Sequence, residues 1–256
     1  VAEVGDQISE SDVVKLEGRA VSAKRLWQQP QQVILYNKPV GEVCTRKDPE
    51  GRRTIFQSLP SPEEGRWVSV GRLDINTSGL IILTTDGELA NKLMHPSMEM
   101  DREYAVRVLG DVTSDMMQTL RDGVELEDGI AKFADIQPAG GEGANSWFHV
   151  VIQEGRNRAV RRLWESQGVQ VSRLMRVRYG PIFIPKQLKM GRWMMLENED
   201  MEALYEEVDL TPRAIEKVGR AQREKKMRPI KAQERQSRQK TSDKYKSKGK
   251  ARIRGH

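Results

Sequence analysis

The sequence predicts an α+β fold, because segments with strand-like and helix-like patterns alternate along residues 30–212. Strands are predicted where short apolar or alternating runs are bounded by turn residues. They fall at 33–36, 67–70, 80–83, 102–109, 130–137, 146–152 and 171–179. Helices are predicted where apolar residues recur at helical spacing, at 113–122, at 199–208, after Asp86 and after Asn157. The glycine-rich run 140–143 is predicted to be a flexible turn between two strands, since no Lys-Ser/Thr follows it as in a phosphate-binding loop.

Charge is distributed unevenly along the 256 residues. Residues 213–256 carry 17 Lys and Arg against 4 Asp and Glu, whereas the preceding 212 residues carry 26 against 33. The tail also lacks apolar periodicity, so we predict a disordered basic segment that binds RNA. The alternative is a tail that only adds solubility. A second basic zone, residues 153–192, holds ten Lys or Arg against two acidic residues.

Composition also excludes several classes of protein. The apolar runs are too short for a transmembrane helix. A single cysteine, Cys44, excludes an internal disulfide framework, and no apolar signal region begins the sequence. These features predict a cytoplasmic protein.

The segment 71–87 carries the candidate chemistry. Asp74 opens a run of turn-forming residues (Asn76, Thr77, Ser78, Gly79) directly before the predicted strand 80–83. A carboxylate is therefore placed on a loop at the mouth of a strand, where a rigid scaffold can orient it. From the local pattern alone, Asp74 is more often a turn cap or the partner of a nearby arginine.

Four segments carry a resemblance to a known family: Tyr36-Asn37-Lys38-Pro39-Val40-Gly41, the segment from Gly71 to Ser97, Arg102-Glu103-Tyr104-Ala105-Val106, and the segment from Gln153 to Trp164, called here the third motif. Together they resemble the RNA pseudouridine synthases, in particular the RsuA/RluB group that modifies ribosomal RNA. The third motif of this group often contains His and Gln where Arg158 and Ala159 stand here. That departure fits the large-subunit branch of the group better than the small-subunit branch.

The resemblance implies a fold and a domain organisation. The catalytic domain of this group is a mixed, mainly antiparallel sheet with flanking helices, which we assign to residues 30–212. The group normally begins with an S4-type RNA-binding module. Residues 1–29 resemble only the end of that module and a linker, as expected for a truncated chain.

The resemblance also implies site residues. Asp74 matches the catalytic carboxylate, which attacks the sugar C1′ or removes the C2′ proton, two routes that the sequence does not separate. Tyr104 matches the tyrosine that stacks on the flipped base, although its alternating strand also fits a core tyrosine. Arg161 is the first candidate for an ion pair with Asp74, and Arg156 is the second. Further predicted RNA or substrate contacts are Arg72, Lys38, Arg158, Arg162 and Leu174, with Leu174 as an apolar wall and Lys38 alternatively a solvated turn lysine.

The predicted activity is isomerisation of uridine to pseudouridine in ribosomal RNA, with 23S RNA or a large-subunit assembly intermediate as partner. No redox change occurs in this reaction, so we expect no cofactor and no metal, and we expect a monomer. A rival from another class is a non-catalytic RNA-binding assembly factor on the same fold. A nucleoside hydrolase is disfavoured because no second carboxylate accompanies Asp74 at a suitable place.

Overall fold

A computed structural model describes residues 12–21, 31–63, 65–142 and 145–212, all of which belong to one compact unit. The predicted basic tail 213–256 and most of the predicted S4-type remnant lie outside the described residues.

The described chain forms strands, four α-helices and two short 3₁₀ turns. The strands are β1 (Val14–Leu16), β2 (Arg19–Val21), β3 (Val33–Lys38), β4 (Val68–Ser69), β5 (Ser78–Thr84), β6 (Arg102–Leu109), β7 (Val124–Leu126), β8 (Gly129–Ala131), β9 (Asp135–Glu142), β10 (Asn145–Ile152), β11 (Gln170–Tyr179), β12 (Ile182–Phe183) and β13 (Trp193–Met195). The helices are α1 (Gly87–Met94), α2 (Ser114–Asp122), α3 (Ala159–Glu165) and α4 (Asn198–Glu206), and the 3₁₀ turns are Ile55–Ser58 and Pro96–Met98.

Nine strands form one mixed sheet in the order β13-β3-β5-β11-β6-β10-β9, with β4 on β5 and β12 on β11. The pairing is antiparallel except between β5 and β11, which run parallel. Two hairpins, β1-β2 and β7-β8, stand apart from this sheet. The predicted α+β fold with a mainly antiparallel mixed sheet is confirmed.

The sheet separates two apolar cores. In β3, Ile34 and Tyr36 face one core while Val33 and Leu35 face the other, as the two-residue period of a strand requires. The first core continues to α3, where Trp164 is fully buried, and the second is covered by α1 and α4. The central strands β3 and β5 are consequently buried along their whole length, and they form a rigid base for the loops at their ends.

The predicted turn at residues 140–143 is wrong at Gly140 and Gly141, which lie inside β9, and its last residue, Gly143, lies outside the described residues. The register between β9 and β10 shifts between Ser146 and Phe148, which marks a β-bulge beside these glycines. A Cβ on Gly141 would come within 2.3 Å of the Asn145 carbonyl oxygen. The glycines therefore allow a close strand approach, and the predicted strand 130–137 is divided between β8 and β9.

Within the described ranges, no helix combines the length and apolar character needed to cross a membrane.

Candidate active site

Strand β11 brings the distant predicted site segments together, because it lies between β5 and β6. Arg176 on β11 is opposite Tyr104 of β6 on one side and Gly79 of β5 on the other. Two residues earlier, Leu174 is opposite Val106. The strand order therefore places Tyr104 and Leu174 beside the beginning of β5, directly after the Asp74 loop.

Gly79 is the residue that allows β5 to approach β11 at this point. A Cβ here would lie 2.2 Å from the carbonyl oxygen and 2.6 Å from the amide nitrogen of Arg176, and Gly79 has φ +106°. Both the space and the backbone conformation therefore exclude a side chain. The turn-rich run before strand β5 thus ends in a glycine that the pairing of the strands requires.

A cleft of about 710 Å³ opens at this junction. Asp74 lines it together with Tyr104 and Leu174, which are 9% and 6% exposed. Arg72 is exposed at its edge. The remaining polar lining residues used below are Cys44, Arg102, Glu154, Arg156, Arg158, Arg176 and Tyr179.

Five consecutive backbone carbonyls of the Asp74 loop accept hydrogen bonds from other segments. The Cys44 thiol donates to the Leu73 carbonyl at 3.3 Å, and the Gly41 amide donates to that of Ile75 at 2.8 Å. The Lys38 ammonium donates to the carbonyls of Asp74 (3.1 Å) and Thr77 (2.8 Å). The Arg161 guanidinium donates to the Asn76 carbonyl at 3.0 Å. The loop backbone is therefore held at each residue from Leu73 to Thr77, and Asp74 lines the cleft.

Lys38 does not contact phosphate, nor is it a solvated turn lysine, and both predictions are wrong. It is the last residue of β3, fully buried, and its ammonium also donates to the Pro39 carbonyl at 3.0 Å. Burial lowers the pKa of this ammonium, and the nearby Asp74 charge opposes that shift. Its role is to hold the loop that carries Asp74.

Arg161 reaches the same loop but does not form the predicted direct ion pair. It is 6% exposed on α3, and its two terminal nitrogens donate to the carbonyls of Asn76 and Val171, both at 3.0 Å. Burial and the neighbouring Arg158 charge lower the pKa of Arg161, while Asp74 acts to raise it. In the described part of the chain, no Lys or Arg nitrogen lies within 4.0 Å of the half-buried Asp74 carboxylate. Arg161 therefore acts on Asp74 through its charge and through the loop backbone.

Helix α3 begins one residue later than predicted. Arg158, not Asn157, is the N-cap, with a left-handed backbone (φ 49°) and no capping side-chain hydrogen bond. Its guanidinium is exposed and lies 3.3 Å from Glu165 in the same helix. Arg158 thus stays accessible at the cleft, as an RNA contact requires.

Arg156 and Arg162 are neutralised by carboxylates of other segments. Arg162 forms a two-pronged pair with Asp128 at 2.9 and 2.8 Å. Arg156 binds Glu154, Asp128 and the carbonyl of Ile130, so its predicted pairing with Asp74 is wrong. Hydrogen bonds from Arg162 hold the pKa of the Asp128 carboxyl below its usual range. These bonds hold the β7-β8 hairpin against the segment that carries Arg156 and Arg162. An RNA phosphate that bound either arginine would have to compete with them.

Arg102, Arg176 and Tyr179 form one wall of the cleft and were not predicted as site residues. Alternation could have indicated Arg102 and Arg176, which lie two residues from Tyr104 and Leu174 on their strands. Tyr179 lies five residues after Leu174 and is placed opposite Arg102 by a register shift between Arg176 and Arg178, which alternation does not predict. The guanidinium carbons of Arg102 and Arg176 each lie 5.1 Å from the centre of the Tyr179 ring. The wall is therefore strongly basic.

Among the described residues, no three His, Cys, Asp or Glu side chains come together to bind a metal ion.

Comparison with known proteins places these features in a family. The model of the RNA pseudouridylate synthase family matches residues 32–166. A ribosomal large subunit pseudouridine synthase B from Pseudomonas aeruginosa is 54% identical over 244 residues, covering 92% of this chain and 63% of that protein. The protein of the same description from Yersinia pestis is 51% identical over 234 residues, covering 91% of this chain and 73% of that protein. A crystal structure of a pseudouridylate synthase superimposes with a TM-score of 0.62 at 27% identity, covering 79% of this chain and 84% of the other. This chain thus spans about two thirds of the length of its curated relatives, 63% in the first case.

Proposed function

Because this chain belongs to the RNA pseudouridylate synthase family, we propose that it isomerises uridine to pseudouridine in ribosomal RNA, with Asp74 as the catalytic carboxylate. One observation carries the proposal: Asp74 is held on a loop in which five consecutive carbonyls are bonded, and it lines one cleft together with Tyr104 and Leu174. A positioned carboxylate and an aromatic ring are the groups that glycosidic cleavage of a flipped base requires.

The chemistry follows from these positions. The uracil ring of the target nucleotide enters the cleft and stacks on Tyr104, with Leu174 as the apolar wall. Asp74 then attacks C1′ or removes the C2′ proton, and the base turns and rejoins C1′ through C5. Preorganisation matters here, because a carboxylate that is already in position before the substrate binds needs little free energy to be oriented in the transition state.

The remaining site residues bring the RNA to this carboxylate. Arg72 and Arg158 are exposed at the cleft and suit contacts to the phosphates next to the target. The relatives are named for the large ribosomal subunit, which supports 23S RNA or a large-subunit assembly intermediate as the substrate. We further propose that the protein acts as a monomer in the cytoplasm, that residues 1–29 are the end of an S4-type module, and that residues 213–256 are an RNA-binding tail.

The direct test is the substitution Asp74→Asn. Pseudouridine formation in ribosomal RNA, scored by carbodiimide-blocked primer extension, should fall by at least about 10⁴-fold because the nucleophile or base is lost. The dissociation constant for the same RNA should change by less than about threefold. Turnover near that of the wild type would remove Asp74 from this role. If the wild-type chain binds the RNA but forms no pseudouridine, the non-catalytic RNA-binding reading replaces the proposal.

The tail proposal has its own test. Deletion of residues 213–256 removes 17 basic residues, and should both weaken RNA binding and reduce the slope of log affinity against log salt. A filter-binding titration between about 50 and 200 mM salt measures both quantities. An unchanged salt slope would show that the tail makes no phosphate contacts.

A further inference from the structure

Arg176 is a buried cation in the wall of the cleft that nothing above employs. It is 2% exposed, and it lies on β11 between Tyr104 and Gly79. Its Nε donates to the Leu80 carbonyl at 2.8 Å. That bond restrains the guanidinium, whose other two nitrogens remain available to a ligand.

These two terminal nitrogens have no acceptor in the described part of the chain. Nη2 is fully buried and unpaired, and Nη1 makes no hydrogen bond to a described residue. No carboxylate in the described part of the chain forms an ion pair with Arg176. In contrast, Arg162 pairs with Asp128, and Arg178 pairs with Asp101 and Glu103. Burial of a charge without a partner costs several kcal/mol in general. A protein that keeps such a group in its active cleft needs it for a ligand that brings the acceptor.

The position of Arg176 decides which part of a nucleotide can meet it. Tyr104, its cross-strand neighbour, and Leu174, two residues away on the same strand, are the proposed walls for the uracil ring. Arg72 and Arg158 lie exposed at the edge of the cleft, where the RNA backbone passes. A group buried in the wall beside the base is thus suited to the base, and the exposed arginines are suited to phosphate.

We propose that Arg176 is a catalytic residue that binds the uracil oxygens and stabilises the negative charge that the base acquires when it leaves C1′. This inference rests on the proposed isomerase function and assigns a partner to the leaving base. The role explains why a positive charge is kept in a buried position. A hydrogen-bond donor lowers the activation barrier most when water is excluded and the donor contacts an atom that becomes negatively charged in the transition state.

The electron balance shows where that charge arises. The C1′–N1 bond breaks and both of its electrons remain with uracil, whose negative charge spreads over N1, O2 and O4. C1′ gains either a bond from an Asp74 oxygen or the electron pair released when C2′ gives its proton to Asp74. After the ring turns, C5 supplies the pair for the new bond to C1′, and Asp74 leaves or returns the proton. C5 then loses its proton and N1 takes one up, so the product is an isomer of the substrate. Arg176 stays protonated and contributes charge and hydrogen bonds only.

The test compares Arg176→Met with the wild type on two RNAs that differ in the target base, uridine or 5-fluorouridine. Fluorine stabilises the uracil anion, so a 5-fluorouracil leaving group depends less on Arg176. With uridine, the single-turnover rate should fall about 100-fold, as for the loss of one oxyanion donor. With 5-fluorouridine, the loss should be about tenfold or less. Consumption of the target nucleoside is followed by chromatography of RNA digests.

Two further measurements separate this role from others. Methionine removes an unpaired buried charge and keeps the volume, so the melting temperature of Arg176→Met should equal or exceed that of the wild type. The matched control is Arg173→Met, an exposed residue of the same strand, which should retain the wild-type rate on both RNAs.

Equal rate losses on both RNAs would overturn the inference, as would an unchanged rate with uridine. A weakened RNA affinity and a smaller salt slope without a change in rate would also overturn it, because that result identifies a phosphate contact. If the wild-type chain itself converts neither base, the proposed function has failed. If the wild type converts uridine and Arg176→Met does so at the same rate, the inference has failed and the proposed function stands.

Discussion

Two groups of basic side chains among the described residues differ completely in their partners. Arg156 and Arg162 are bound to the carboxylates of Glu154 and Asp128. Lys38, Arg161 and Arg176 are buried and, among the described residues, contact backbone carbonyls and no carboxylate. The first group is neutralised within the protein, whereas the second keeps its positive charge beside the cleft.

The difference has an energetic reason. Solvent-exposed ion pairs such as that of Arg162 with Asp128 contribute little to stability, because water screens the charges, and this pair mainly fixes the position of a hairpin. Buried cations bonded only to carbonyls have lost their hydration without gaining a counter-ion, which is costly, while their hydrogen bonds stabilise the segments that they hold. Lys38 and Arg161 hold the Asp74 loop in this way, and Arg176 holds the Leu80 carbonyl of β5. The carboxylate-free cations therefore position the site and keep a positive charge near it, whereas the paired ones position a hairpin.

The sharpest test of this contrast compares Arg161→Met with Arg162→Met, adjacent positions on α3. Arg161→Met should lower the single-turnover rate about 100-fold or more, because both the bond to the Asn76 carbonyl and the charge near Asp74 are lost. Arg162→Met should lower the rate less than about fivefold, since only the bond to Asp128 breaks. Single-turnover kinetics at saturating enzyme measures both. Similar losses at the two positions would refute the division into two groups.

Lys38→Met tests the buried group through stability. Three carbonyls lose their donor, two of them on the Asp74 loop, and the free energy of unfolding should fall by about 2–4 kcal/mol. The matched control is Lys92→Met, because the half-buried Lys92 donates to one carbonyl, that of Val208. Its cost should be about 1 kcal/mol or less. Urea unfolding curves give both values, and equal costs would show that Lys38 has no special part in holding the loop.

Asp128→Asn tests the paired group and has the smallest expected effect. The folded-state pKa of Asp128 is lowered, chiefly by hydrogen bonds from Arg162. Its contribution to stability is therefore complete above its unfolded pKa of about 3.9 and is lost as the pH falls through the lower folded value. Melting temperatures of the wild type and Asp128→Asn should differ slightly at pH 6, and this difference should disappear as the pH falls below the lowered folded-state pKa of Asp128. A difference that persists at the acidic end would mean that the Asp128 charge is not its source.

The candidate site could be predicted in part from the sequence. Tyr104 lies on the buried face of β6 that its alternating strand predicted, and both Tyr104 and the predicted apolar wall Leu174 line the cleft with Asp74. The roles of the basic residues could not be predicted in the same way. Asp128, which neutralises Arg162, lies outside the basic zone 153–192, and a count of charges along the chain does not pair residues 34 positions apart.

Lys38 shows the same limit at the level of one side chain. Its sequence context, a lysine before Pro39 and close to Gly41, is typical of an exposed turn, yet it ends the fully buried strand β3. Its three carbonyl acceptors come from the adjacent residue and from a loop about 36–39 residues away in the chain. Their positions result from the pairing of β3 with β5.

By itself, the sequence determined most of the longer strands and the helices, because hydrophobic periodicity and turn residues act over a few neighbouring positions. It also determined that Asp74 is presented on a turn at the start of a buried strand. Tertiary structure decided that β11 lies between β5 and β6, that Gly79 admits it, and that Arg176 lines the cleft with its terminal nitrogens unpaired. These outcomes depend on how closely segments far apart in the chain approach each other and on how deeply their side chains are buried. Distance and burial, and not residue type alone, set the energies of electrostatic interactions and hydrogen bonds.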